Sequence, residues 1–300
     1  MSSFVPYWTR LDFDDRTASG FFCESTMPPS LCPKCGQLVG SDETQCSRCG
    51  TKKMERMRPT LVLDRFPLQL ILGICVLLYI LSILLNTEAA MNPRGGLLSI
   101  GSPDGKALYL LGMTGGYAWN QGYWWTLLSA SFLHGGILHI LFNLSWLNTL
   151  GKIFGSLFGM HRLVVLYVVT GITGFLLSNV MHNAPTIGAS CSIFGIMGAL
   201  ITFSLRRGGE FGQKLRSQVW AWVIIGLVFG FVVEGVNNYG HIGGLLGGFA
   251  MGYLFPAREG MAEESWMSKL AYALILLSLV AVGLSVSSFW TVLQLSIPIR

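Results

Sequence analysis

Apolar residues fall in long, nearly unbroken runs along most of this chain. They do not follow the three- and four-residue spacing of a helix that buries one face against a soluble core. The runs cover 67–86, 127–150, 162–181, 187–205, 217–236, 239–255 and 269–290. A helix needs about 20 apolar residues to cross the hydrocarbon of a bilayer, so the pattern predicts seven transmembrane helices. The sixth run is the shortest and is rich in glycine. Two stretches interrupt the pattern. The first 65 residues are polar, and residues 87–126 are Gly-rich and carry Tyr117, Trp119, Tyr123, Trp124 and Trp125. Aromatic residues of this kind favour the headgroup layer, so the second stretch is expected to lie partly within it.

Composition agrees with the pattern. Hydrophobic residues make up 52% of the 300 and charged residues only 12%, against roughly 25% charged in a soluble domain. Seventeen of the thirty-five Asp, Glu, Lys and Arg side chains precede residue 66. The net charge of +5 is modest, and no nucleic-acid partner is expected. The chain divides into a polar segment (1–28), a cysteine-rich segment (29–55), a linker (56–66), a six-span core (67–255), a second linker (256–268) and a seventh span with a short tail (269–300). No secretory signal is apparent at the start, because the polar segment lacks a short apolar core. With the N-terminus in the cytoplasm, seventeen of the twenty Lys and Arg fall on cytoplasmic segments, leaving only Arg94, Lys106 and Arg300 outside. This is a strong positive-inside bias, and it places the C-terminus outside.

Cys32-Pro-Lys-Cys35-Gly and Cys46-Ser-Arg-Cys49-Gly are two C-x-x-C-G knuckles ten residues apart. Four thiolates suit tetrahedral zinc, and each tight pair can direct two sulfurs at one ion. A reducing cytoplasm keeps such thiols available. The expectation is a cytoplasmic zinc ribbon, similar to the small ribbons at the ends of many bacterial and archaeal chains. Its Zn2+ would be structural, since four cysteines leave no open position, and the ribbon could recruit a cytoplasmic partner. Cys23 and Cys75 are read as bystanders.

Polar side chains inside spans are costly and need an account. His139 and Asn143 lie four apart on the second span and share a helix face. Ser190 opens the fourth span after Gly188 and Ala189, and His241 lies near the start of the sixth, within Tyr239-Gly-His-Ile-Gly-Gly-Leu-Leu-Gly-Gly248. In the topology above, both spans begin at the outer face, so Ser190 and His241 sit at similar depth. A serine and a histidine within reach make a nucleophile and its general base. Gly240, Gly244 and Gly248, like Gly243 and Gly247, recur every four residues and would let helices approach closely; Gly188, Gly195 and Gly198 could do the same on the fourth span. Glycine packing without chemistry explains each motif taken alone. No acid is well placed as a third catalytic member; Glu234 is a candidate only for structural pairing. Ser192 faces elsewhere and reads as packing.

Taken together, Trp125-Thr126 followed by Leu133-His-Gly-Gly-x-x-His139-x-x-x-Asn143, then Gly188-Ala-Ser190-x-x-x-Phe-Gly195, then Gly240-His-Ile-Gly-Gly-Leu-Leu-Gly-Gly248 resemble the rhomboid intramembrane serine proteases over residues 67–255. The resemblance implies an all-α polytopic membrane protein with a rhomboid-like six-helix core, one added C-terminal transmembrane helix and the small N-terminal zinc ribbon outside the shared core. It also implies a Ser190–His241 dyad that cleaves transmembrane protein substrates near the outer face of the lipid bilayer. Asn143 and His139, with backbone N–H groups near Ser190, would stabilise the oxyanion. No cofactor is implied for catalysis, and lateral substrate access beside the fifth span, near Trp220, Trp222, Phe229 and Phe231, is implied too. Three positions depart from the family pattern: Cys191 stands where glycine is usual, Thr126 where the outer-loop arginine is usual, and Gly240 where alanine is common. Cys191 is expected to perturb either the oxyanion site or the contact with the sixth span. The alternatives are a non-catalytic rhomboid-like protein that binds membrane clients, and a transporter or channel. The expected location is a bacterial plasma membrane, with a eukaryotic secretory membrane as the alternative.

Overall fold

The computed structural model describes residues 30–31, 38–39, 45, 50, 65–87, 101–233, 235–256 and 263–294. The chain forms two compact units, Met1–Thr60 and Leu61–Arg300. In the first, β1 (Ser30–Leu31) pairs antiparallel with β2 (Leu38–Val39), with Ser30 opposite Val39 and Leu31 opposite Leu38. Cys32, Cys35, Cys46 and Cys49, and with them the expected zinc ligand set, lie outside the described residues, as does Glu234.

The second unit is helical. Among the described residues, seven helices of 17 residues or more fall in the seven apolar runs: α1 (Phe66–Leu84), α5 (Ile137–Phe158), α6 (Met160–Met181), α7 (Ser190–Arg207), α8 (Gly209–Val232), α9 (Asn238–Leu254) and α10 (Ser265–Gln294). Three short helices among the described residues, α2 (Gly105–Leu111), α3 (Tyr117–Asn120) and α4 (Thr126–Ser129), precede α5, and a 3-10 turn at Ala130–Phe132 follows α4. Among the described residues, four helices are long and apolar enough to cross a membrane: α1, α6, α8 and, over Ser265–Trp290, α10. A fifth crossing counts Thr126–Phe132 and Ile137–Phe158 as one bent span. The chain is thus an integral membrane protein. Its outward surface fits that solvent, since Leu77, Ile225, Phe231, Val232 and Leu276 all face out with more than 60% of their area exposed.

Of the remaining two long helices, α7 is interior, whereas α9 buries its glycine-rich face and exposes Leu246, Tyr253 and Leu254. Fourteen of the eighteen residues of α7 are buried, among them Ser192, Thr202 and Ser204. That makes α7 the axis of the bundle, with neighbours on every side.

Several boundaries differ from the sequence reading. The run 127–150 is not one helix. It breaks at Leu133-His-Gly-Gly136 and turns by 93° before α5, which continues to Phe158. Glycines supply too few side-chain contacts to hold that segment helical. Helix α7 begins at Ser190, not at 187, because Thr186 pairs with Thr114 in an antiparallel bridge and Gly188 takes φ +121°. Helix α8 runs from 209 to 232 and not from 217 to 236.

Helix α10 is fastened at both ends. At its start, Glu263 accepts the backbone N–H groups of His161 and Arg162 (3.0 Å each) and meets the His161 ring at 2.8 Å. This satisfies donors that the first turn of α6 would otherwise leave unpaired. Glu264 pairs at 2.5 Å with Arg162, which is only 2% exposed and also donates to the Phe158 carbonyl. Toward its other end, the Phe289 ring sits among the rings of Tyr109, Tyr117 and Tyr123. The aromatic segment before α4 is therefore packed against a helix, although Trp124 does remain 63% exposed.

Candidate active site

Ser190 and His241 lie at the same end of the bundle, here termed the serine end. Ser190 is the first residue of α7 and half-buried; His241 is the fourth of α9 and only 6% exposed. The two helices approach through glycines. A Cβ on Gly244 would lie 2.0 Å from the Cys191 carbonyl oxygen, and one on Gly248 equally close to that of Gly195. Likewise, a Cβ on Gly198 would lie 2.3 Å from the Leu245 carbonyl oxygen, and one on Gly252 2.6 Å from Ala199 Cα. The two glycine rows of α9 are divided between partners. Gly240, Gly244 and Gly248 face α7, while Gly243 and Gly247 face Thr173 of α6. Gly195, read as part of the same close-packing face, turns its open side toward Thr170 of α6 and offers only its backbone to Gly248.

Phe194 lies one turn beyond Ser190 on α7, and its ring is stacked on His241 at 4.3 Å and 10°. Among the described residues no hydrogen bond links Ser190 Oγ to His241. The His241 Nδ1 atom instead lies 3.2 Å from Asn238 Oδ1.

His139 and Asn143, on the first two turns of α5, converge on the segment just before Ser190. A Cβ on Gly188 would lie 2.7 Å from His139 Nε2 and 3.7 Å from Asn143 Nδ2. Position 188 therefore needs glycine twice over, for its φ of +121° and for space. His139 Nδ1 accepts the Gly135 N–H at 3.2 Å, so in the neutral ring the proton sits on Nε2. A histidine N–H and an amide NH2 thus point toward the start of α7, where the first-turn backbone N–H groups have no helical acceptor. The arrangement is a set of hydrogen-bond donors able to hold a negatively charged oxygen.

Cys191 points away from these donors. Its side chain is buried in a notch between Gly174 of α6 and Gly240 of α9: a Cβ on Gly240 would lie 2.9 Å from its Sγ, and one on Gly174 2.6 Å from its Cβ. Of its two expected effects, disturbance of the oxyanion site and of the contact with α9, only the second has a geometric basis. Ser192 is buried and donates to the Tyr167 carbonyl at 2.6 Å, a packing role. Trp125 stacks on Tyr123. On α8, Trp222 meets Trp146 of α5 edge-on, while Phe229 and Phe231 face outward.

Sequence reading missed the polar frame of this end. Asn237 caps α9, accepting from the N–H groups of Tyr239 and Gly240, and donates to Ser178 Oγ (2.6 Å) and Thr186 Oγ1 (3.1 Å). Asn179 Nδ2 donates to Thr114 Oγ1, which also receives the Thr126 hydroxyl. These bonds fix the start of α9 against α6 and the strand-like residue Thr186. The Asn-Asn pair before a glycine-rich helix is an N-cap signal, and it could have been used.

Residues 121–258 match the family model described as "Rhomboid domain". Three curated relatives are similar to overlapping parts of the chain. "Rhomboid protease GluP" of Bacillus subtilis is 37% identical over 163 residues, covering 54% of this chain and 31% of that protein. "RHOMBOID-like protein 7" of Arabidopsis thaliana is 34% identical over 132 residues, covering 43% and 42%. "Rhomboid-like protease 5" of Toxoplasma gondii is 33% identical over 142 residues, covering 45% and 16%. The matches span less than half the length of each of these relatives. Over residues 121–258, less than half of its length, the chain is thus similar to the rhomboid family.

Proposed function

We propose that this protein is an intramembrane serine endopeptidase. The observation that supports this best is the convergence of the His139 and Asn143 donors on Gly188, immediately before Ser190, with His241 buried on the facing helix. In this reading His241 takes the Ser190 proton and Ser190 Oγ attacks a peptide carbonyl of a transmembrane substrate. The developing oxyanion is held by His139, Asn143 and backbone N–H groups. The imidazolium then protonates the leaving amine, and water releases the acyl group. Such hydrogen bonds commonly tighten only once substrate is bound. The test uses purified protein in detergent with a single-span substrate. Ser190→Ala and His241→Ala should each lower cleavage at least about a thousandfold; cleavage that persists in either variant overturns the dyad. Wild-type protein that binds such substrates without cutting them would favour the client-binding alternative.

The orientation belongs to the same proposal. Of the nine described Lys and Arg residues, all but Lys106 lie toward the end opposite Ser190, which supports a cytoplasmic N-terminus and chemistry near the outer face. We further propose a structural Zn2+ held by Cys32, Cys35, Cys46 and Cys49; the β1–β2 hairpin that brackets the first knuckle in sequence supports it. Metal analysis of the whole chain should find one zinc, lost on Cys32→Ser with Cys46→Ser. An unchanged metal content would sink this assignment.

A further inference from the structure

We infer that Asn238 is a positioning residue that fixes which nitrogen of His241 carries the proton and ties that choice to the position of α8. The inference deepens the protease reading and rests on it for its kinetic consequence, though not for its structural one.

The amide of Asn238 touches two groups. Its Nδ2 lies 3.1 Å from the carbonyl oxygen of Leu227 on α8, and its Oδ1 lies 3.2 Å from His241 Nδ1. A carbonyl oxygen can only accept, so the NH2 end of the amide must face Leu227. The oxygen end then faces His241, and it too can only accept, so His241 Nδ1 must be the donor. In the neutral ring this leaves the lone pair on Nε2. The opposite tautomer would set two acceptors against each other at a part-buried contact. Flipping the amide to relieve that would set two acceptors against each other at Leu227 instead. Each arrangement leaves a part-buried polar atom without a donor, and that is the costlier outcome. A backbone carbonyl on one helix therefore determines the protonation pattern of a side chain on another.

The surrounding residues are shaped to allow this bridge. A Cβ on Gly230 of α8 would lie 2.1 Å from Asn238 Oδ1 and 2.8 Å from its Cγ, so only glycine at 230 lets the amide lie against α8. One turn earlier, a Cβ on Gly226 would lie 2.7 Å from the tip of the Phe194 ring, the same ring that stacks on His241. Helix α8 thus reaches His241 by two routes, through the Asn238 amide and through the Phe194 ring. The first sets the tautomer and the second sets the plane of the ring. Displacement of this end of α8 removes the Leu227 acceptor, frees the amide to rotate and releases the tautomer.

The test uses the full-length protein in detergent micelles with 15N-labelled histidine. The His241 signals are assigned by their loss in His241→Ala. Wild type should show Nδ1 protonated and Nε2 unprotonated. Asn238→Leu, of similar size but without hydrogen bonds, should shift the population toward the Nε2–H form and lower kcat at least about tenfold, with KM changed less than about threefold. Asn238→Asp loses the bond to Leu227 but still accepts from Nδ1–H, so it should keep the tautomer and retain more kcat than Asn238→Leu. Gly230→Ala, remote from the ring, should reproduce the tautomer shift by displacing the amide. A wild-type His241 protonated on Nε2, or an Asn238→Leu variant that changes KM alone, overturns the assignment. An unshifted Gly230→Ala spectrum overturns the link to α8. Should wild type cleave nothing, the protease reading fails while the tautomer spectra still decide the role of Asn238.

Discussion

Helices α9 and α8 both pack on α7, and they do so by opposite means. Helix α9 comes in on a row of glycines, so that its missing side chains are replaced by the carbonyl oxygens of Cys191 and Gly195. Helix α8 buries few of its residues, shows Ile224, Ile225, Val228, Phe231 and Val232 to the outside, and touches the site through the Phe194 ring and one carbonyl. Backbone against backbone leaves no side chain to rotate and take up a displacement. A ring tip against a glycine on a lipid-facing helix does. The pair that carries Ser190 and His241 is accordingly held to one geometry, and the helix beside it has room to adjust. Packing by small residues supplies the attraction that hydrophobic burial cannot provide between helices inside a bilayer.

Substitutions on the two sides should separate these cases. Gly248→Ala places a methyl group 2.0 Å from the Gly195 carbonyl oxygen, where neither helix backbone can yield. It is expected to cost about 3 kcal/mol, read as a large fall in the thermal unfolding midpoint in detergent; an unchanged midpoint would show that α9 is not locked. Gly240→Ala meets the end of the Cys191 side chain instead, at 2.9 Å, and is expected to cost about 1–2 kcal/mol. That cost should vanish in a Cys191→Gly background, giving a coupling energy of similar size in a double-mutant cycle. Additive effects would place the strain elsewhere. Gly226→Ala presses on the tip of the Phe194 ring from the α8 side and should cost less than about 1 kcal/mol. A loss equal to that of Gly248→Ala would erase the distinction between the two helices.

Much of this was readable from the chain. Apolar runs located the seven long helices among the described residues, although only four of them are by themselves long and apolar enough to cross a membrane. The three motifs located the serine end, since Ser190, His241, His139 and Asn143 lie within a few residues of helix starts where chain direction alone sets depth. What failed was local or reciprocal. The break at His134-Gly135-Gly136 lies inside an apolar run, and hydropathy does not register a change of direction. Glu263 and Glu264 looked like linker residues because their partners, His161 and Arg162, are about a hundred positions away in sequence. Asn238 has no motif of its own, and its meaning appears only when Leu227 and Gly230 are brought beside it. Glycine periodicity correctly announced close contacts, but the row that meets α7 and the row that meets α6 could be told apart only by the fold.

The notch that holds Cys191 also constrains how such a chain can change. The resemblance to the rhomboid proteases implies glycine at position 191 and commonly alanine at position 240, whereas this chain has Cys191 and Gly240. Two single steps connect the pairs, and they are not interchangeable. Losing the methyl at 240 first leaves a small void, which an interior tolerates at modest cost. Gaining the thiol first drives sulfur into a methyl with backbone behind both. The accessible route runs through glycine at both positions, and once cysteine is in place the way back to alanine at 240 is closed until the thiol is lost. With cysteine at 191, position 240 is thereby restricted to glycine.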